Sequence, residues 1–284
     1  MKRLIALFYS LCMVLLLMTA CNNGEMEENA ASAVSWKTGL ALYSFHQHPF
    51  ATALEMADSA DLRNLEGFSF YKLGGEFGET SMGNLSDSQL QDLKQQLDSK
   101  NMSLTSMYVE GGKDAAGWSR YFEIVKALGG TYLVAEPLKS EWDMIDSLAG
   151  LYNMKVAIHQ HAREISAYWH PDSVLAAVEG RPNLGACADL GHWVRSGLDP
   201  VDCLKKLEGH IVGIHFKDVD ADGNDVDPGK GLIKFAVVAD ELDRQGYSGM
   251  LSIECEHNIE NNLADVKFSA RYIDEMNKAL LERR

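Results

Sequence analysis

Basic residues are in short supply. The 284-residue chain carries 26 Lys and Arg against 41 Asp and Glu, a formal charge of −15 at pH 7. Contacts to nucleic-acid phosphates come mainly from Lys and Arg, and an acidic surface repels that backbone. The balance argues against a DNA or RNA partner. Cysteine is almost as sparse: of five, only Cys187, Cys203 and Cys255 follow residue 21. Three cysteines in a chain this long build no disulfide framework. Cys187 and Cys255 lie in apolar runs and read as buried free thiols. No segment repeats, and no glycine-rich dinucleotide turn follows the first apolar run. GGEFGET (74–80) lacks the following lysine of a phosphate loop. The acidic run IHFKDVDADGNDVDPGKG (214–231) has no twelve-residue loop closed by a glutamate, which excludes an EF-hand calcium site and leaves a surface turn.

What is present begins with an address. MKRLIALFYSLCMVLLLMTAC opens with Lys2 and Arg3, continues apolar from Leu4 to Met18 apart from Ser10, and ends with Thr19 and Ala20 before Cys21. That order is a secretory signal peptide. A cysteine directly after the small residues resembles a bacterial lipoprotein signal, although Met18 stands where that pattern prefers leucine. The resemblance implies lipidation at Cys21 and an exported protein on the periplasmic or cell-surface side, held to the membrane by the lipid alone. A single membrane-spanning anchor is the alternative; at about 17 residues the run is at the lower edge for a span. Loss of Lys2 and Arg3 with the leader lowers the charge by two, to −17. Residues 21–35, polar and small, read as a flexible tether, which leaves 36–284 as one domain.

From Trp36 onward short apolar runs alternate with helical patterns. The strand candidates are 37–45, 64–70, 102–109, 131–136, 155–159, 184–189, 211–216 and 250–254. Between them, 86–100 places Leu90, Leu93 and Leu97 on one face behind a capping Ser86 or Asp87. Residues 199–209 begin with Asp199 before Pro200, a cap followed by proline at the first helical position. Residues 231–246 and 262–281 are also amphipathic. Strands alternating with helices imply a parallel sheet. Eight such units in about 250 residues predict an α/β fold, a single (β/α)8 barrel; a doubly wound open sheet is the rival.

Side chains alternate in and out along a barrel strand. Asp189 shares its face with Cys187, His215 with Gly213, Glu254 with Ser252, His159 with Ala157 and Glu136 with Val134. Five consecutive strands thus end in Glu136, His159, Asp189, His215 and Glu254, with His46, Glu66 and Glu110 ending the first three. The C-terminal mouth of such a barrel is where active sites lie. Converging carboxylates raise one another's pKa unless a cation sits among them. A mixed carboxylate–imidazole set suits a divalent ion, Mn²⁺ foremost, with Co²⁺, Zn²⁺ or Mg²⁺ as alternatives.

Three stretches carry a family resemblance: ADLGH (188–192), IHFKDV (214–219) and SIECE (252–256). Over Trp36 to the C-terminus the chain resembles the xylose isomerase-like TIM barrel superfamily of sugar isomerases and epimerases, which also includes an endonuclease IV branch. The resemblance implies that Asp189, His215 and Glu254 are metal ligands and that His192 contacts substrate. It departs on the fifth strand, where such epimerases carry a glutamate as ligand and acid/base and this chain has His159. Glu136, one strand over, is expected to restore the missing carboxylate as ligand or base, with His159 a ligand or a partner behind one. His46, Glu66, His161 and Lys217 are expected to face substrate.

The implied activity is metal-dependent isomerisation or epimerisation of a sugar or keto-sugar, with Glu254 or Glu136 moving the proton next to a carbonyl. A 3-keto-glycoside lyase or hydrolase would use the same carbanion, and a non-catalytic sugar-binding lipoprotein is the reading from another class. An endonuclease conflicts with the charge and the export signal. The address is directly testable. Cys21→Ala should leave the protein unprocessed or release it from the membrane fraction; normal cleavage with unchanged membrane association would refute lipidation.

Overall fold

A computed structural model describes Trp36–Arg283. The expected signal peptide (1–20), Cys21 and the expected tether lie outside the described residues. Each of the eight expected apolar runs forms a strand: Lys37–Ala41, Asn64–Phe68, Ser103–Val109, Tyr132–Ala135, Lys155–Ile158, Leu184–Asp189, Ile211–Phe216 and Met250–Ile253. Every strand pairs in parallel with its neighbours, and the eighth returns to the first, Lys37 opposite Met250 through Leu40 opposite Ile253. Closure leaves no sheet edge to protect. The open-sheet alternative is excluded.

The helices pack outside this wall. Asp87–Ser99 starts at a capping box: Ser86 Oγ accepts from the Gln89 N–H at 3.3 Å, and Gln89 Oε1 accepts from the Ser86 N–H at 3.1 Å. Its Leu90, Leu93 and Leu97 are buried. Asp199 Oδ1 accepts from the backbone of Val201 and Asp202, as its place before Pro200 required, and the helix runs Pro200–Lys206. The helix expected from 231 begins only at Phe235. The N–H groups of Gly229, Gly231 and Ile233 are taken instead by the buried carboxylate of Asp218. Glycine is required at 231, where a Cβ would lie 2.3 Å from the Val219 carbonyl oxygen. The acid-rich stretch is thus a small hairpin, Asp218–Val219 against Asp225–Val226. Its acids cap turns, with Asp220 Oδ1 accepting from the N–H groups of Asp222 and Asn224.

Inside the barrel a separate plug of Tyr132, Val134, Ala157, Cys187 and Met250 forms the floor beneath the mouth. The in–out alternation is the one the sequence predicted: these residues stand two or four positions before the polar strand ends. Gly213 belongs to the same layer. A Cβ there would come within 2.9 Å of Tyr132 Oη and 3.2 Å of its ring, so the absence of a side chain makes room for the ring. Overpacking of this kind costs roughly 1–3 kcal/mol. Gly213→Ala should therefore lower the melting temperature by several degrees; an unchanged melting temperature would show that the ring moves aside freely.

Candidate active site

Strand ends bring four donors together. His159, Asp189, His215 and Glu254 are all buried and each offers one ligand atom within 4.8 Å of the others. Asp189 Oδ2 lies 3.5 Å from both His159 Nε2 and His215 Nδ1, and His215 Nδ1 lies 2.9 Å from Glu254 Oε2. None of His159 Nε2, Asp189 Oδ2 and His215 Nδ1 meets hydrogen-bond geometry, although Asp189 Oδ2 pairs with Lys217 and His215 Nδ1 with Glu254. Buried polar atoms without hydrogen bonds are rare and call for an explanation. These three face one another, with the donor types that a divalent ion takes. The residues present fit such an ion.

Each imidazole is held from behind. Glu66 Oε1 accepts from His215 Nε2 at 2.7 Å, and Ser106 Oγ donates to Glu66 Oε2 at 2.8 Å. Glu136 Oε1 accepts from His159 Nδ1 at 3.1 Å. A carboxylate on one ring nitrogen fixes the tautomer, so that the other nitrogen presents its lone pair forward. Asp189 divides its own oxygens: Oδ1 accepts from the His192 N–H at 2.8 Å and caps the helix Leu190–Arg195, while Oδ2 points into the cluster.

Two expected placements change. Glu136 does not join the four. Its Oε1 is shared by His159 and His161, and its Oε2 accepts from Ser166 Oγ at 2.6 Å. Burial alone would raise this carboxyl, but the hydrogen bonds from His159, His161 and Ser166 outweigh it and hold the pKa at about 2. The adjacent strand brings Glu136 near, but to the far side of the ring. Glu66 was expected at the rim on substrate. It lies mid-strand and fully buried beneath His215, because a register shift at Leu65/Glu66 sets it opposite Ser106 inside the barrel. Glu110, past the third strand, is exposed and takes no part.

The remaining expected residues ring the cluster. Lys217 is almost fully buried, its Nζ 2.8 Å from Glu254 Oε2, 3.2 Å from Asp189 Oδ2 and in contact with Glu256. His192 Nε2 lies 3.9 Å from Asp189 Oδ2, and the His161 and His192 rings are 4.9 Å apart. Burial drives His192 down to about 3, with Lys217 also opposing its charge, so the ring is neutral. His46 stacks on Tyr43 at 4.3 Å at the rim. An aromatic wall that the sequence reading missed closes one side: Phe68 stacks on Tyr108 at 5.6 Å, and Tyr108 meets His159 edge-on at 5.6 Å. Tyr108 was findable, since it shares strand parity with Ser106. Trp118, Tyr168 and Trp193 are buried packing residues.

Charge bookkeeping gives a test. Burial opposes a charge on His159 and His215, but Asp189 and Glu136 raise the first, and Cys187, Glu254 and Glu66 raise the second well above its ordinary value. Without an ion both rings hold protons that a metal must displace. Mn²⁺ affinity should therefore rise as pH goes from about 6 to about 8. Calorimetry in buffers of different ionisation heat should register proton release. Affinity independent of pH, with no release, would contradict the ligand set.

The chain is similar to proteins already known. The chain is 26% identical over 187 residues to an inosose isomerase of Halalkalibacterium halodurans, covering 55% of this chain and 66% of that protein. It is 22% identical over 260 residues to an inosose dehydratase of Geobacillus kaustophilus, covering 71% and 84%. Over the first curated relatives the match spans 30–66% of their length. A putative uncharacterized protein of Parabacteroides distasonis superposes with a TM-score of 0.69 at 29% identity, covering 84% of this chain and 98% of that one. Residues 66–276 match the family model described as xylose isomerase-like TIM barrel, and with its closed parallel barrel the chain belongs to that family.

Proposed function

We propose that the chain moves a proton next to the carbonyl of a sugar or keto-sugar, in the mouth of an exported, lipid-anchored barrel. The observation that carries this is the convergence of His159 Nε2, Asp189 Oδ2, His215 Nδ1 and Glu254 Oε2, three of them without hydrogen bonds. These four would hold a divalent ion, Mn²⁺ first, whose Lewis acidity when bound polarises a carbonyl and acidifies the adjacent C–H.

The chain's own groups divide the rest of the work. Glu254 is the base. Burial opposes its charge, but His215 and Lys217 hold it well below the carboxylate range, so it is ionised. Glu136 is set aside because it stands behind His159, outside the cluster. The Lys217 ammonium donates to the oxygen on which negative charge builds. His192, a neutral ring, meets sugar hydroxyls, and His161 and His46 bound the opening.

A single free carboxylate limits the outcome. Inverting a carbon needs a proton removed from one face and returned to the other, normally by two groups. Here the fifth-strand position is His159, tied to Glu136 behind and aimed at the cluster in front. One-base reactions are favoured over epimerisation: proton return to the neighbouring carbon, giving an isomerase, or expulsion of the β-substituent. Expulsion of water would make a dehydratase, the activity for which the Geobacillus kaustophilus relative is named, as the Halalkalibacterium halodurans relative is named for isomerisation; expulsion of a glycosidic oxygen would make a 3-keto-glycoside lyase or hydrolase. The acidic surface and export signal favour neutral glycosides over nucleic acid.

A keto-sugar, inosose and glycoside panel in deuterated water with Mn²⁺ tests this. The protein should place deuterium next to a carbonyl or release water or aglycone, and Glu254→Gln should slow exchange at least about a hundredfold. No exchange with any member, together with sugar binding, would leave a non-catalytic binder; wild-type exchange in Glu254→Gln would remove it as base.

A further inference from the structure

We propose a second, structural metal site just behind the mouth, built by Cys255, His257 and Asp265, whose ligand atoms lie within 4.8 Å of one another, with Asp227 beside His257 as the fourth donor, and taking Zn²⁺. His257 Nε2 is its centre: Asp227 Oδ1 lies 3.2 Å away, Asp265 Oδ2 3.8 Å and Cys255 Sγ 3.9 Å. Zinc bonds of about 2.0–2.3 Å to nitrogen, oxygen and sulfur set tetrahedral ligand–ligand edges of roughly 3.3–3.7 Å. The edges from His257 Nε2 to Asp265 and Cys255 lie just above that range, and the one to Asp227 just below it.

The donors come from three separate elements. Cys255 and His257 follow the eighth strand, Asp227 follows the second strand of the small hairpin, and Asp265 stands in the first turn of the helix Leu263–Glu282. Their side chains are largely enclosed; Asp265, the most open, is 21% exposed. The carboxylates are oriented from outside: Lys230 Nζ pairs with Asp227 Oδ2 at 2.6 Å and leaves Oδ1 to His257, and Asn258 Nδ2 donates to Asp265 Oδ2 at 3.1 Å. One thiolate, one imidazole and two carboxylates suit Zn²⁺, whereas the mouth cluster contains no thiolate among its four donors. Ligation replaces the thiol proton, which leaves to solvent.

The site would pin the hairpin to the final helix. It would also fix Glu256, which sits between two of the ligands and reaches Lys217. The buried position of Lys217 then depends on a contact two residues from the zinc.

Co²⁺ titration of the metal-stripped full chain tests this independently of any activity. Thiolate ligation gives a charge-transfer absorption in the near ultraviolet that a site of nitrogen and oxygen alone does not give. The expected result is a band saturating within two equivalents in the wild type and at one in His215→Asn, removed by Cys255→Ser and weakened at least tenfold in affinity by His257→Asn, each folded by circular dichroism. Cys187→Ser and His215→Asn should retain it, which separates this site from the mouth. Absence of the band in the wild type, its persistence in Cys255→Ser, or its loss in Cys187→Ser alone would each overturn the proposal. Should Cys255→Ser not fold, His257→Asn decides between the same outcomes.

Discussion

Two carboxylates drawn into one buried spot govern the architecture of the mouth. Asp189 and Glu254 end the sixth and eighth strands, on either side of the seventh, and both are buried. An uncompensated buried charge costs several kcal/mol, and a like-charged neighbour adds to that. Lys217 brings one ammonium between them, and His159 and His215 supply the rest as protonated rings or as ligands. Each ring is in turn backed by a further carboxylate, Glu136 or Glu66. The pattern alternates acid, imidazole, acid, so every negative group has a positive neighbour only while a cation or its proton equivalents occupy the centre.

That constraint assigns roles to residues of the same type. Five carboxylates line the mouth or its immediate surroundings, and their environments separate them. Glu66 and Glu136 are spent on orienting rings, Asp189 on a helix cap and the cluster, Glu256 on Lys217. Glu254 joins the cluster and also pairs with Lys217. On the proposed reading, the fifth-strand histidine takes a place where a second carboxylate would stand, and so favours steps that one base can perform.

Much of this was legible in the chain. Period-two alternation fixed which face of each strand looks inward, and the polar strand ends followed from it: His159, Asp189, His215 and Glu254 meet where their parity put them. Depth was less legible. Glu66 has the right parity, but a register shift inside its strand sets it a layer lower than a strand-end reading assumes. Glu136 has the right strand, but its side chain turns toward His161 and Ser166, partners contributed by a loop whose path no local pattern encodes. The delayed helix at Phe235 had the same origin, since Asp218 captures backbone donors thirteen and fifteen residues on. Local patterns specify elements and faces; contacts between distant loops decide which of two near-equivalent acids touches the centre.

The central claim is that these four side chains hold a divalent ion. Anomalous diffraction at a wavelength chosen for manganese, from crystals of the chain grown with Mn²⁺, tests it most directly. The account predicts one strong peak bounded by His159 Nε2, Asp189 Oδ2, His215 Nδ1 and Glu254, with Glu66 and Glu136 remaining outside it. A map with no peak there, and with Lys217 still bridging Asp189 and Glu254, would contradict it.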